Sequence, residues 1–161
     1  MPRILAVALD VDGVLTDGTF WWGPDGSEFK RFSFRDVMGI SRGRQRGLRF
    51  ALVSGEDVPQ VHRFAAKMGI DDVYVGCKDK AAALRDFAAR RGLDLLGVAF
   101  MGDDVNDLPA LAIVGLSAAP CDAEPSVLQC VGMVSRFPGG RGAVRELIEH
   151  ILDGTEDATC P

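Results

Sequence analysis

Apolar positions along this chain fall into two alternating rhythms. Short continuous runs rich in Ile, Val, Leu, Ala and Phe occur at Ile4–Leu9, Phe50–Val53, Asp72–Val75, Gly97–Met101 and Ile113–Leu116. Runs of this kind suit strands covered on both faces. Between them lie segments with an apolar stripe on one side and charge on the other, at Asp36–Gln45, Val58–Lys67, Lys80–Arg91, Val105–Ala112 and Arg141–Leu152, and these predict helices. The alternation predicts an α/β fold: a Rossmann-like parallel sheet with helices on both faces. One stretch breaks it. TFWWGPDGSEFKRFSF, residues 19–34, holds two aromatic-rich runs joined through Gly-Pro-Asp-Gly, which predicts a β-hairpin inserted after the first strand. No repeat or linker divides the 161 residues, so one domain is expected, with residues 153–161 as a loosely ordered tail.

In an open parallel sheet, reactive groups collect at the carboxyl ends of the strands. Asp10 and Asp12 follow the first run, Ser54 and Gly55 the second, Asp79 and Lys80 the third, and Gly102, Asp103, Asp104 and Asp107 the fourth. Asp10 and Asp12, two apart at a strand end, can project to the same side. Joined by Asp103, they would repel in a partly dry cleft unless a cation sat among them. Oxygen ligands without His or Cys point to a hard divalent ion, and Mg2+, which keeps its waters and bridges to phosphate, fits best. Lys80 opens a predicted helix, where the macrodipole disfavours a cation. A compensating anion, either Asp10 or a phosphoryl oxygen, is therefore expected beside it, with Ser54 and the N–H groups after it holding further oxygens. Asp104, Asp107 and Ser54 are also common cap and turn residues; agreement among four strand ends favours a site.

Charge and cysteine usage narrow the classes. A net charge of -5 and the absence of a basic run argue against nucleic acid as a partner. The apolar runs are too short to cross a bilayer and the N-terminus lacks a signal-peptide layout, so a cytoplasmic protein is expected. Cys77, Cys121, Cys130 and Cys160 form no CxxC pair, which leaves reduced thiols as the default. Cys130 and Arg136 fit the Cys-x5-Arg spacing of cysteine phosphatases. The intervening VGMV is strand-like, however, where that mechanism needs a loop of N–H groups around the phosphate. Cys130 instead reads as a small core residue.

The motifs DVDGVLTDG, VSGE, KDK and GDDVNDLPAL resemble those of the haloacid dehalogenase superfamily. With the hairpin, FRDVMGI and the terminal GGRGAVRELIEHIL, nearly the whole chain is similar to its capless sugar-acid phosphatases. These are the 3-deoxy-D-manno-octulosonate 8-phosphate phosphatases and the 9-phosphate phosphatases of nine-carbon ulosonic acids. The resemblance implies Asp10 as nucleophile, forming an aspartyl phosphate, and Asp12 as general acid and base. It implies Mg2+ held by Asp10, Asp103 and the backbone carbonyl of Asp12, a grip on the phosphoryl oxygens from Ser54, Gly55 and Lys80, and support for metal-bound water from Asp104 and Asp107, with Asn106 at a helix start. It also implies a homotetramer in which hairpins form a central barrel and a neighbour covers each active site. The aromatics Phe20, Trp21, Trp22, Phe29 and Phe32 would otherwise leave an apolar surface, unless the hairpin folds onto its own core.

Specificity rests on fewer residues. The eight-carbon enzymes commonly have Arg after the Ser-Gly of the second motif, whereas this chain has Glu56. Glu56 with Lys67 resembles the nine-carbon enzymes, so a nine-carbon 2-keto-3-deoxy ulosonate 9-phosphate is the expected substrate; the two residues could equally form a surface charge pair. The eight-carbon 8-phosphate and a neutral sugar phosphate are the alternatives. Phe64, with Arg63 adjacent, stands where the family has an Arg that helps bind the substrate carboxylate, and Val37 and Met38 stand where it often has Gly and an aromatic. Arg141, flanked by glycines suited to close backbone approach, is the candidate for reaching a neighbour's site. A catalytically idle assembly domain is the remaining alternative, although such a domain has no chemical need for Asp10, Asp12, Lys80 and Asp103 together.

Overall fold

The computed structural model describes residues 3–156. In chain order the elements are β1 (Ala6–Leu9), β2 (Trp21–Trp22), β3 (Glu28–Phe29), α1 (Phe34–Gln45), β4 (Arg49–Val53), α2 (Pro59–Met68) and β5 (Asp72–Tyr74). They continue with α3 (Lys80–Arg91), β6 (Val98–Met101), α4 (Leu108–Leu111), β7 (Leu116–Ala119), α5 (Pro125–Leu128), β8 (Met133–Val134) and α6 (Ala143–Glu156). Six strands form one parallel sheet in the order β5-β4-β1-β6-β7-β8. Every residue of β1 is buried, as its central position requires.

The pleat divides the core. Val7, Leu9, Phe50 and Leu52 pack with residues of α1, α2 and α6, among them Ile40, Val61 and Leu147. Ala6, Ala8, Ala51 and Val53 pack on the other face with Leu84 and Phe87 of α3, Ala110 of α4 and Val127 of α5. The two apolar layers therefore follow from the two-residue period of the strands. β2 and β3 pair antiparallel, Trp21 opposite Phe29 and Trp22 opposite Glu28, so the inserted hairpin is present.

Several details differ from the sequence expectation. The run Ile113–Leu116 was expected as a strand, but β7 starts at Leu116. Gly115 lies against the backbone of Leu96, where a Cβ would meet a carbonyl oxygen at 1.9 Å, so the residues before it form a turn. The helix expected over Val105–Ala112 is a 3-10 turn over Val105–Asp107 followed by α4, because the Asp104 and Asp107 side chains take up the local N–H groups. The helix expected from Arg141 starts at Ala143 and runs to Glu156, so residues 153–156 are helical rather than tail-like; residues 157–161, with Cys160, lie outside the described residues. Cys130 is exposed, not a core residue. It lies two residues beyond the single turn of α5, whose inward positions are taken by Val127 and Leu128. The strand-like reading of VGMV holds at Met133–Val134.

Candidate active site

The site is built on β1 and β6 and the segments that follow them. Asp10 is 6% exposed and accepts from the N–H of Val11 at 2.7 Å. Lys80 reaches it from the first turn of α3, with Nζ 3.0 Å from Asp10 Oδ2 and 2.6 Å from Asp107 Oδ1. The α3 start is fixed by Asp79, whose carboxylate accepts from the N–H of Ala82, as an N-cap should. The expected anion beside Lys80 is thus two carboxylates. Asp107 is fully buried, and its other oxygen accepts from the N–H groups of Asp103 and Asp104. It stiffens the turn that carries Asp103.

Ligand oxygens of Asp10, Asp103 and Asp107 all lie within 4.8 Å of one another. Burial, and next the charge of Asp107, push the Asp103 carboxyl up to about 6. Burial also raises Asp10 well above the ordinary range, against the pull of Lys80 and with the help of Asp107 and Asp103. Burial works to lower Lys80, yet Asp10 and Asp107 outweigh it and hold the ammonium above its ordinary value. Two buried carboxyl groups and the half-buried Asp103 therefore face a single ammonium. The deficit of positive charge, the all-oxygen donor set and the reach of Asp103 to Asp10 fit a hard divalent cation. Asp107 already serves Lys80 and two N–H groups, so Asp10 and Asp103 are the side chains that fit as its ligands.

Gly13 explains how Asp103 comes so near. Its φ is +83°, and a Cβ there would stand 1.9 Å from Asp103 Oδ2. Gly13→Ala is expected to cost about 1–3 kcal/mol of stability through the strained backbone and to displace Asp103. Phosphatase rate at saturating Mg2+ should then fall far more than the thermal midpoint; a rate within about twofold of wild type would contradict this placement.

The remaining sequence candidates divide. Ser54 is 1% exposed and its Oγ accepts from the N–H of Glu56 at 3.1 Å; Gly55 lies in the same turn after β4. Asp104 is exposed and caps the 3-10 turn through the N–H of Val105, and Asn106 is exposed within it. The Asp12 carboxylate is outside the buried cluster and is held by Lys30, at 2.7 and 2.8 Å. Glu56 and Lys67 are both exposed, and among the described residues no ion pair joins them; Lys67 Nζ lies 5.7 Å from the Phe34 ring. Phe64, in place of the family's Arg, stacks on Phe32 of the hairpin segment with ring centroids 4.4 Å apart. Arg63 and Lys67 line a cleft of about 790 Å³ between that segment and α2.

Arg141 is exposed, and its nearby charge on this chain is Asp17, whose carboxyl is held low first by the Thr19 hydroxyl and further by Arg31 and Arg141. The neighbouring glycines make their close approach within the chain. A Cβ on Gly139 would stand 1.9 Å from the Gly13 carbonyl, and Gly140 donates its N–H to Val14. They clamp the loop after Asp10. Lys30 was missed by sequence reasoning; a lone Lys between aromatic hairpin residues gives no signal of a carboxylate eighteen residues away.

The haloacid dehalogenase-like hydrolase family matches residues 28–112. The 3-deoxy-D-manno-octulosonate 8-phosphate phosphatase KdsC of Escherichia coli is 38% identical over 150 residues, covering 93% of this chain and 80% of that protein. Its Yersinia pestis namesake is 39% identical over 160 residues, 98% of this chain and 86% of that protein. The crystal structure of the Yersinia pestis phosphatase superposes with a TM-score of 0.94 at 37% identity, over 96% of this chain and 83% of that one. The Moraxella catarrhalis phosphatase, solved with magnesium, phosphate and KDO, gives 0.92 at 32% identity, over 97% and 91%. By sequence, by fold and by these relatives, the chain belongs to the haloacid dehalogenase-like hydrolase family, among its phosphatases.

Proposed function

We propose that the protein is a Mg2+-dependent phosphomonoesterase of 3-deoxy-D-manno-octulosonate 8-phosphate. The observation that carries the chemistry is the cluster of Asp10, Asp103 and Asp107, two of them paired with the buried Lys80. Asp10 attacks phosphorus, forming the aspartyl phosphate as the bond to the sugar oxygen breaks. Asp12 gives that oxygen its proton and then takes one from the attacking water. Lys80 uses two of its three donors on Asp10 and Asp107, which leaves the third for a phosphoryl oxygen. The Ser54 hydroxyl already accepts from Glu56, so its own proton is available to another phosphoryl oxygen, beside the N–H of Gly55. Mg2+ at Asp10 and Asp103, with the Asp12 carbonyl, would supply charge neutralisation on the phosphoryl group. Asp104 and Asp107 support the ligand turn.

For the substrate, support comes from relatives at 37–39% identity over most of the chain that are named for the eight-carbon phosphate. The nine-carbon expectation rested on Glu56 and Lys67 alone, and nothing in the comparisons favours it. A homotetramer joined through the hairpins accompanies this reading. Phe20, Trp21, Trp22 and Phe29 are 49–71% exposed, a surface that suits burial by another subunit. Among the described residues no helix is long and apolar enough to cross a membrane.

The test is phosphate release from purified protein with Mg2+ against the eight-carbon 8-phosphate, a nine-carbon 9-phosphate, hexose phosphates and p-nitrophenyl phosphate. The eight-carbon acid should give the highest kcat/KM by about tenfold or more. A nine-carbon or neutral sugar in first place would overturn the substrate, and no turnover of any compound would point to the idle assembly domain.

A further inference from the structure

We propose that Lys30 is the positioning residue of the acid–base step, holding the Asp12 carboxylate toward the reacting oxygen. The inference rests on the reading of Asp12 as acid and base. Lys30 follows β3, and its side chain is only 4% exposed, while that of Asp12 is 34% exposed. Both Asp12 oxygens lie within 2.8 Å of the ammonium, and Glu28 Oε1 stands 3.8 Å away on its other side. Among the described residues no other side chain bonds the Asp12 carboxylate, so without Lys30 its orientation would be set by a soft terminal torsion.

The arrangement is poorly explained by stability. Burying an ammonium on a four-carbon stem costs desolvation and rotamer freedom, and a partly buried ion pair returns little net folding energy. Nor is Lys30 open enough to serve as a first grip on substrate arriving from solvent. What the fold does provide is anchorage on both sides of it. Two residues before, the Glu28 carbonyl accepts from the Gln60 side chain of α2; two residues after, Phe32 stacks on Phe64 of the same helix, with ring planes 16° apart. The hairpin base is thus fixed to α2 around the residue whose ammonium bonds the Asp12 carboxylate. Phe64, where the family has Arg, is part of that anchorage.

In the first step the Asp10 oxygen–phosphorus bond forms, the phosphorus–sugar oxygen bond breaks, and the Asp12 proton goes to the departing oxygen. A p-nitrophenolate leaving group needs no such proton. If Lys30 acts through Asp12, Lys30→Met should lower kcat/KM for the sugar-acid phosphate by about 100-fold. The same variant should lower kcat/KM for p-nitrophenyl phosphate by less than about threefold, because that ratio reports only events up to leaving-group departure. In addition, Lys30→Met should cost nothing further in the Asp12→Asn background, measured by kcat for p-nitrophenyl phosphate, since both changes remove one function. If Lys30→Met does not fold, Lys30→Arg, which keeps the charge and moves the donors, takes its place with the same leaving-group asymmetry expected. Equal losses on both substrates, or additive losses in the double variant, would overturn the role of Lys30 alone. Wild-type protein that turns over neither substrate would overturn the phosphatase reading and Lys30 with it.

Discussion

Asp10→Asn is expected to lower phosphate release by about 10⁴-fold or more while the fold and thermal midpoint are kept. On the proposed mechanism the amide is a poor nucleophile and lacks the negative charge with which this oxygen would hold the metal, so one substitution would remove two functions. Stability behaves oppositely because of what surrounds the residue. Asp10 is buried beside Asp103 and Asp107, and its ionised form is disfavoured there despite Lys80. Lys80 keeps its 2.6 Å contact with Asp107 when Asp10 is neutralised, so no ammonium is left stranded. The midpoint should therefore stay within about 3 °C of wild type or rise, as is common where a site is strained for function. A variant retaining a tenth or more of the wild-type rate would remove Asp10 as nucleophile. A large drop in midpoint would show that the carboxylate serves the fold instead.

The legible parts of the molecule are those set by short-range pattern. α3 occupies the residues expected for it, Lys80–Arg91, because an Asp cap, an apolar stripe and a terminal Gly all agree. β1, β4, β5 and β6 lie within a residue or two of their apolar runs for the same reason. The carboxylates were legible because strand ends gather at one edge of a parallel sheet whatever the loops do. What escaped depends on tertiary docking. Lys30 meets Asp12 only because Gln60 and Phe64 hold the hairpin base, contacts between segments about thirty residues apart. The intrachain part played by the terminal glycines escaped in a similar way. They do permit close approach, but to Gly13 and Thr16 of the same chain, which local sequence cannot reveal. Cys130 misled because an apolar neighbourhood in sequence was taken for burial, whereas it falls in the turn after a one-turn helix, in solvent.

Mg2+ should raise the thermal midpoint by about 5–10 °C at pH 7.5 and by less than about 2 °C at pH 5. At a concentration near one hundred times the dissociation constant, binding to the folded state alone contributes about 2.7 kcal/mol, and for a chain of this size each kcal/mol moves the midpoint by about 2–4 °C. The pH dependence follows from the carboxyl groups that fit as ligands. Asp103 is raised to about 6, and Asp10 is raised as well. A carboxyl whose folded value exceeds its unfolded one binds protons more tightly in the native state. The metal-free protein therefore loses stability as pH rises from the ordinary carboxylate range through about 6, where Asp103 ionises beside the other carboxyl groups. The cation relieves that repulsion, so its effect is greatest above pH 7. Below about 5, a proton already occupies Asp103 and must be displaced, and the shift shrinks. Differential scanning calorimetry with and without Mg2+ at the two pH values reads this directly, and Asp103→Asn should abolish the shift at both. Equal shifts at pH 5 and 7.5 would mean that the cation binds elsewhere on the chain, and no shift at either would mean that the buried carboxyl cluster does not hold it.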